Sequence, residues 1–174
     1  MGLPLGRWLA GVVALVWASA AQAAAPFEDS MAQRTLACTA CHGDQGRAGP
    51  DGYYPRLAGK PAGYLYHQLL NFRDGRRHYG PMTRMVDVLS DAYLMDIARH
   101  FAALQVPYPP PQPLATPPAP AALARGRTLA LQGDAGQRLP ACVQCHGERL
   151  TGALPDVPGL LGLPPDYLTA QLGG

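Results

Sequence analysis

The sequence predicts an all-α chain made of two tandem units, the second cut short. Three observations carry that prediction. The pentapeptide Cys38-Thr39-Ala40-Cys41-His42 recurs as Cys142-Val143-Gln144-Cys145-His146, and the two copies use all four cysteines. A longer repeat surrounds them: Pro55–Gly59 answers to Pro158–Gly162, Pro61–Leu65 to Pro164–Leu168, and Gln68-Leu69 to Gln171-Leu172. The register is 104 residues at the pentapeptides and 103 after them, so one residue is deleted between. Finally, apolar residues recur at helical spacing, while 20 Gly and 19 Pro in 174 residues imply short helices joined by much loop.

C-x-x-C-H is the attachment signature of c-type haem. Two thiols three positions apart can each add across a haem vinyl group to give a thioether. The histidine beside the second thiol then meets the ring as the proximal iron ligand. Cys38, Cys41, Cys142 and Cys145 are therefore assigned to covalent attachment of two haem c groups, with His42 and His146 on the irons. A thioredoxin-type pair is disfavoured by the adjoining histidines and the missing βαβ pattern. A shared zinc site is disfavoured by the hundred-odd residues between the pairs. Two disulfides are the remaining alternative for an exported chain.

Export is read from the N-terminus. Arg7 precedes an apolar run from Trp8 to Trp17, and small residues from Ala18 end in Ala21-Gln22-Ala23. That is a secretory signal peptide over residues 1–23, shorter in its apolar part than a membrane span. With c-type haem it places the protein in the periplasm, with no membrane span once the leader is removed. Removal takes away Arg7 and no acid, so 14 Lys+Arg against 12 Asp+Glu becomes 13 against 12. So small an excess gives no basis for nucleic-acid binding.

The first unit, 24–106, opens with a helix over Phe27–Ala37 that leads into the pentapeptide. From His42 to Gly59 glycine and proline leave only loop. Pro61 opens the next helix, where its missing N–H costs nothing, and Tyr64, Leu65, Gln68, Leu69 and Phe72 form one face of it. Gly75 ends it. A second loop carries Met82 and Met85. Ser90 caps a helix running to Leu104, with Leu94, Ile97, Ala98, Phe101 and Leu104 as its buried stripe. Eight of the fourteen residues from Pro107 to Pro120 are proline, which excludes a helix or inner strand and marks 107–120 as a semi-rigid linker. The second unit, 121–174, begins with a helix over Ala121–Leu131 and repeats the first until it stops mid-helix. A counterpart of Met82 would fall near position 185, so truncation, or degeneracy of the second unit, is expected, and haem 2 is expected to lack a strong distal ligand of its own. Units this small are marginal without a staple, and covalent haem serves as one; the apo chain is expected to fold poorly.

Distal candidates for the first iron are Met82, Met85, Met95, His67, His78 and His100. Met95 reads as core filler, and His67 and His100 as exposed or packed residues within helices. Met82, held after Gly80-Pro81, is preferred to Met85, and His78 is the histidine rival. A thioether favours reduced iron and raises the potential, as suits a carrier. Each proximal histidine also needs an acceptor for its second nitrogen; the carbonyls of Pro55 and Pro158 are candidates, their other role being to shape the turn. Arg73, Arg76, Arg77 and Arg84 gather around the methionines, as a solvated face or as partners for haem propionates or an acidic protein.

Cys38-x-x-Cys41-His42-Gly43, Pro55-x-Leu57-Ala58-Gly59, Tyr64-Leu65-x-x-Gln68-Leu69, Phe72-Arg73-x-Gly75-x-Arg77, Met82-x-x-Met85 and Leu89-Ser90-Asp91 resemble class I cytochromes c, most of all the dihaem cytochrome c4 group. The resemblance covers nearly all of residues 30–104 and the first half of a domain after Cys142. It implies a helical haem fold, two tandem class I cytochrome c domains, periplasmic electron shuttling and His/Met ligation, with Met82 at the position of the distal ligand. The long linker and the missing second distal ligand depart from that group. The function expected is single-electron transfer between respiratory proteins, from a dehydrogenase or quinol complex to an oxidase or reductase. One alternative is a cytochrome subunit of a larger dehydrogenase; another is a peroxide- or gas-binding protein acting through an open second haem. No catalytic acid–base pair or nucleophile is called for, since the haem carries the chemistry.

Overall fold

The computed structural model describes residues 28–49, 53–110 and 116–173. The expected signal peptide, Phe27, and residues 111–115 of the linker lie outside them. Eight α-helices, α1 Met31–Arg34, α2 Leu36–His42, α3 Ala62–Arg73, α4 Gly80–Val86, α5 Asp91–Ala103, α6 Pro120–Gln132, α7 Cys142–His146 and α8 Pro165–Gly173, and two single 3-10 turns, Asp44–Gly46 and Ala135–Gln137, account for the helical structure there. The one exception to an all-helical chain is a two-residue antiparallel pair, β1 Gly152–Ala153 with β2 Val157–Pro158. No helix among the described residues is long and apolar enough to cross a membrane.

The leading helix is not continuous over Phe27–Ala37. It breaks at Thr35, whose buried hydroxyl donates to Met31 O at 2.7 Å, and the next helix runs on through the pentapeptide to His42. Such back-bonding by a threonine hydroxyl competes with the ladder and bends a helix. Helix α3 has Pro61 as its N-cap rather than as its first residue, and it ends at Asp74 before Gly75, where φ is +74°. Helix α5 is capped as its sequence requires, Ser90 Oγ accepting from Tyr93 N at 3.3 Å.

A second correction concerns Met82 and Met85, which lie on helix α4 and not in a loop. Pro81 sits in the first turn, where a missing N–H breaks no bond, so Gly80-Pro81 starts a helix here. The spacing of Met82, Met85 and Val86 then gives that helix an inward face.

The first half has two adjoining cores. Leu65, Ile97, Ala98 and Phe101 form one, and Phe72, Val86 and Leu94 the other, so α3 packs on both α5 and α4. The second half is thinner: α6 buries no residue, and Ala141, Pro164 and Tyr167 are its buried side chains. The halves meet where α3 faces α8. Arg77 donates to Gln68 Oε1 (2.9 Å), Tyr167 Oη (2.9 Å) and Gln171 Oε1 (2.8 Å). A side chain at Gly63 would strike the Asp156 carboxylate, so that glycine permits the approach.

Candidate haem-binding site

Helices α2 to α5 surround a cavity of about 360 Å³. Its wall includes Cys38, Cys41 and His42 from α2, Leu65 and Phe72 from α3, Met82 and Met85 from α4, and Ile97 and Phe101 from α5. The i, i+3 spacing of Cys38 and Cys41 on one helical turn sets both sulfurs on the cavity side, with His42 one residue on. Gly43 follows at φ +76°, a left-handed conformation that turns the chain away after the histidine; Gly147 repeats it at +79°.

His42 is 6% exposed, and its Nδ1 lies 2.7 Å from the Pro55 carbonyl oxygen. A carbonyl can only accept, so Nδ1 carries the proton and Nε2 keeps its lone pair for a metal. His146 repeats the arrangement, with Nδ1 2.7 Å from Pro158 O. Tyr54 meets the His42 ring edge-on at 6.1 Å. Burial pushes the Cys38 thiol above its ordinary pKa.

The candidate distal residues sort by position. Met82, Met85 and His78 all line the cavity. Met82 is half-buried against the Phe72, Val86 and Leu94 core, whereas Met85 is 44% exposed. Met95, His67 and His100 do not line it; His100 stacks edge-on against Phe101 at 5.2 Å. Of the arginines, Arg77 lines the cavity and also bridges to α8. Arg73 is instead paired with Asp74 and Asp91, and Arg76 with Asp74. Cys142 and Cys145 are exposed, and His146 is half-buried.

Two buried cations on the cavity wall escaped the sequence reading. Arg56 is 3% exposed, its guanidinium donating to Ala58 O (3.0 Å), to Pro107 O (2.9 Å) and to Val106 O, and lying over the Tyr108 ring. The linker's first residues are thus fastened to the first half. Lys60 is 6% exposed and donates to Gly159 O at 2.6 Å, and burial beside Arg56 lowers its pKa to about 8. The available signal was a failure of the repeat: Arg56 answers to Gly159 and Lys60 to Leu163.

The residues fit a covalently held haem. The cavity wall is mostly apolar with cations at Arg56, Lys60 and Arg77, carries two thiols and an oriented imidazole on one helix, and offers thioethers from another.

No family model matches the chain. It is 40% identical over 173 residues to a protein of Thiomonas intermedia (strain K12) named thiosulfate dehydrogenase electron acceptor, covering 98% of this chain and 75% of that one. Among solved structures it resembles reduced recombinant cytochrome c4 from Pseudomonas stutzeri, with a TM-score of 0.69 and 32% identity over 82% of this chain and 76% of that one. It also resembles part of the thiosulfate dehydrogenase TsdBA from Marichromatium purpuratum. There the TM-score is 0.65 and the identity 36%, over 78% of this chain and 28% of that one.

Proposed function

This chain belongs to the cytochrome c4-like class I cytochromes c, and from that premise we propose that it is a periplasmic dihaem carrier that takes electrons from a thiosulfate dehydrogenase. Its family consists of electron carriers rather than enzymes, and covalently bound haem c goes with it. The observation that carries the two-haem reading is the repeated histidine setting, His42 on Pro55 and His146 on Pro158, each at 2.7 Å. Cys38 and Cys41 hold the first haem, with His42 and Met82 on its iron; Cys142 and Cys145 hold the second, with His146. The units are 24–106 and 121–174, joined by 107–120, after a signal peptide over 1–23.

The haem supplies the one-electron chemistry. The protein's part is to orient each proximal imidazole through a carbonyl, to exclude water with the α3, α4 and α5 side chains, and to bias the potential through ligand and charge.

A thiosulfate-oxidising donor is supported by the name of the Thiomonas relative and by the likeness to part of TsdBA. An alternative reading, a cytochrome subunit of a larger dehydrogenase, is favoured by the second likeness, since the matched stretch is 28% of a chain named thiosulfate dehydrogenase. The test mixes oxidised holoprotein with catalytic amounts of a thiosulfate dehydrogenase and thiosulfate. Reduction of the haem absorption bands is expected only with both present. A protein that dithionite reduces fully but that the enzyme and thiosulfate leave oxidised would exclude this donor. Co-elution of carrier and enzyme on gel filtration separates the stable complex from the shuttle.

A further inference from the structure

The loops behind the two proximal histidines are joined across the seam by one side chain. On the first side, Pro55 O receives the His42 hydrogen bond, and Arg56, next in sequence, ties that turn to Ala58 O. On the second side, Pro158 O receives the His146 bond, and Gly159 follows it. Lys60 Nζ crosses from the first turn to Gly159 O at 2.6 Å.

The crossing is one-sided. At matched register the second unit carries Gly159 for Arg56 and Leu163 for Lys60, so both buried cations at the seam come from the first unit. A buried charge acts over longer range than a solvated one. Gly159 is itself buried, and a side chain there would strike the Thr151 backbone, so the carbonyl that Lys60 grips is closely confined.

We infer that Lys60 is a positioning residue supplied by the first unit to the second haem: it holds the Pro158–Gly159 backbone that orients His146 and raises the potential of that haem with its charge. The inference rests on the two-haem reading above. A cation favours the reduced state because reduction adds negative charge, so its loss lowers the potential. The charge is present at pH 7, below the value of about 8 to which burial brings the amine.

The test uses the full holoprotein at pH 7. Haem content by mass is read first, so that failure of the two-haem reading is seen separately. The second haem's redox step is identified as the one lost from the Cys142→Ala/Cys145→Ala protein. In Lys60→Met that step is expected to fall by about tenfold in its reduced-to-oxidised ratio, which is about 59 mV for one electron. Lys60 also lines the first cavity, so the first haem's step should fall too, but by less, because there only the charge is lost and not the hold on the turn behind the proximal histidine. Lys60→Arg, which keeps charge and donors, should restore the wild-type value. Loss of haem 2 from Lys60→Met, with retention in Lys60→Arg, would be the same result in stronger form. The inference is overturned if the second step is unmoved in Lys60→Met even as thermal stability drops. It is equally overturned if both steps move alike, or if both variants lose haem 2.

Discussion

Replacing Cys38 and Cys41 together with alanine is expected to leave a full-length chain that carries only the haem on Cys142 and Cys145 and has lost the fixed structure of its first unit. The reason is the size of what the haem fills. The cavity among α2, α3, α4 and α5 measures about 360 Å³, and its wall is drawn from both cores of that unit. Without haem the apolar side chains on that wall lose their packing partner and face water, and a unit this small has little other core to hold it. The empty unit therefore collapses or unfolds rather than keeping its shape. Circular dichroism should lose the larger share of its helical signal, and protease should cut within residues 62–103. A first unit that stays helical and protease-resistant without haem would show that Leu65, Phe72, Leu94 and Phe101 pack well enough alone, and the cavity would need another occupant.

Met82→Ala is expected to abolish the near-infrared sulfur-to-iron band of haem 1 and to lower its potential by on the order of 0.1 V or more, within the ≈ 0.8 V over which axial ligands set haem potentials. A thioether stabilises ferrous iron, and water in its place does not. Met85→Ala should leave both readings nearly unchanged. The two side chains share a helix and a cavity wall, but Met82 is held by Phe72, Val86 and Leu94, whereas Met85 is 44% exposed. A ligand must be held in place, and the packed methionine is. If the band instead disappears with Met85, helix α4 presents its next turn to the iron; if the unaltered protein shows no such band, His78 becomes the ligand to examine.

What could be read from the sequence depended on whether a residue's role is local. The cap at Ser90, the buried stripe of α5 as far as Phe101 and the inward face of α3 each follow from neighbouring turns and are present in the structure, while Leu104, expected at the end of that stripe, is the half-buried C-cap beyond the helix. The carbonyls of Pro55 and Pro158 were accessible for a different reason: each falls at a fixed distance after a pentapeptide, in a loop repeated with one deletion. Helix α4 was missed because Gly80-Pro81 reads equally as a turn or as a first turn, and seven residues are too few for periodicity to decide. The break at Thr35 was missed because a hydroxyl bond to Met31 O leaves no pattern in composition.

The seam between the halves was the least legible part. Lys60 meets Gly159, and Arg77 meets Tyr167 and Gln171, some ninety to a hundred residues along the chain. No local rule pairs residues so far apart. A charged residue in one copy facing glycine or leucine in the other was nonetheless a usable sign, because a residue that serves its own unit tends to repeat and one that serves the contact need not.

The two-haem assignment is the claim on which the rest stands, and the mass of the protein matured in the periplasm tests it most directly. The mature protein is expected to begin at Ala24 and to carry two covalent haem additions, one on the peptide holding Cys38 and Cys41 and one on the peptide holding Cys142 and Cys145. A single addition, or Cys142 and Cys145 recovered as free thiols or as a disulfide, would contradict it.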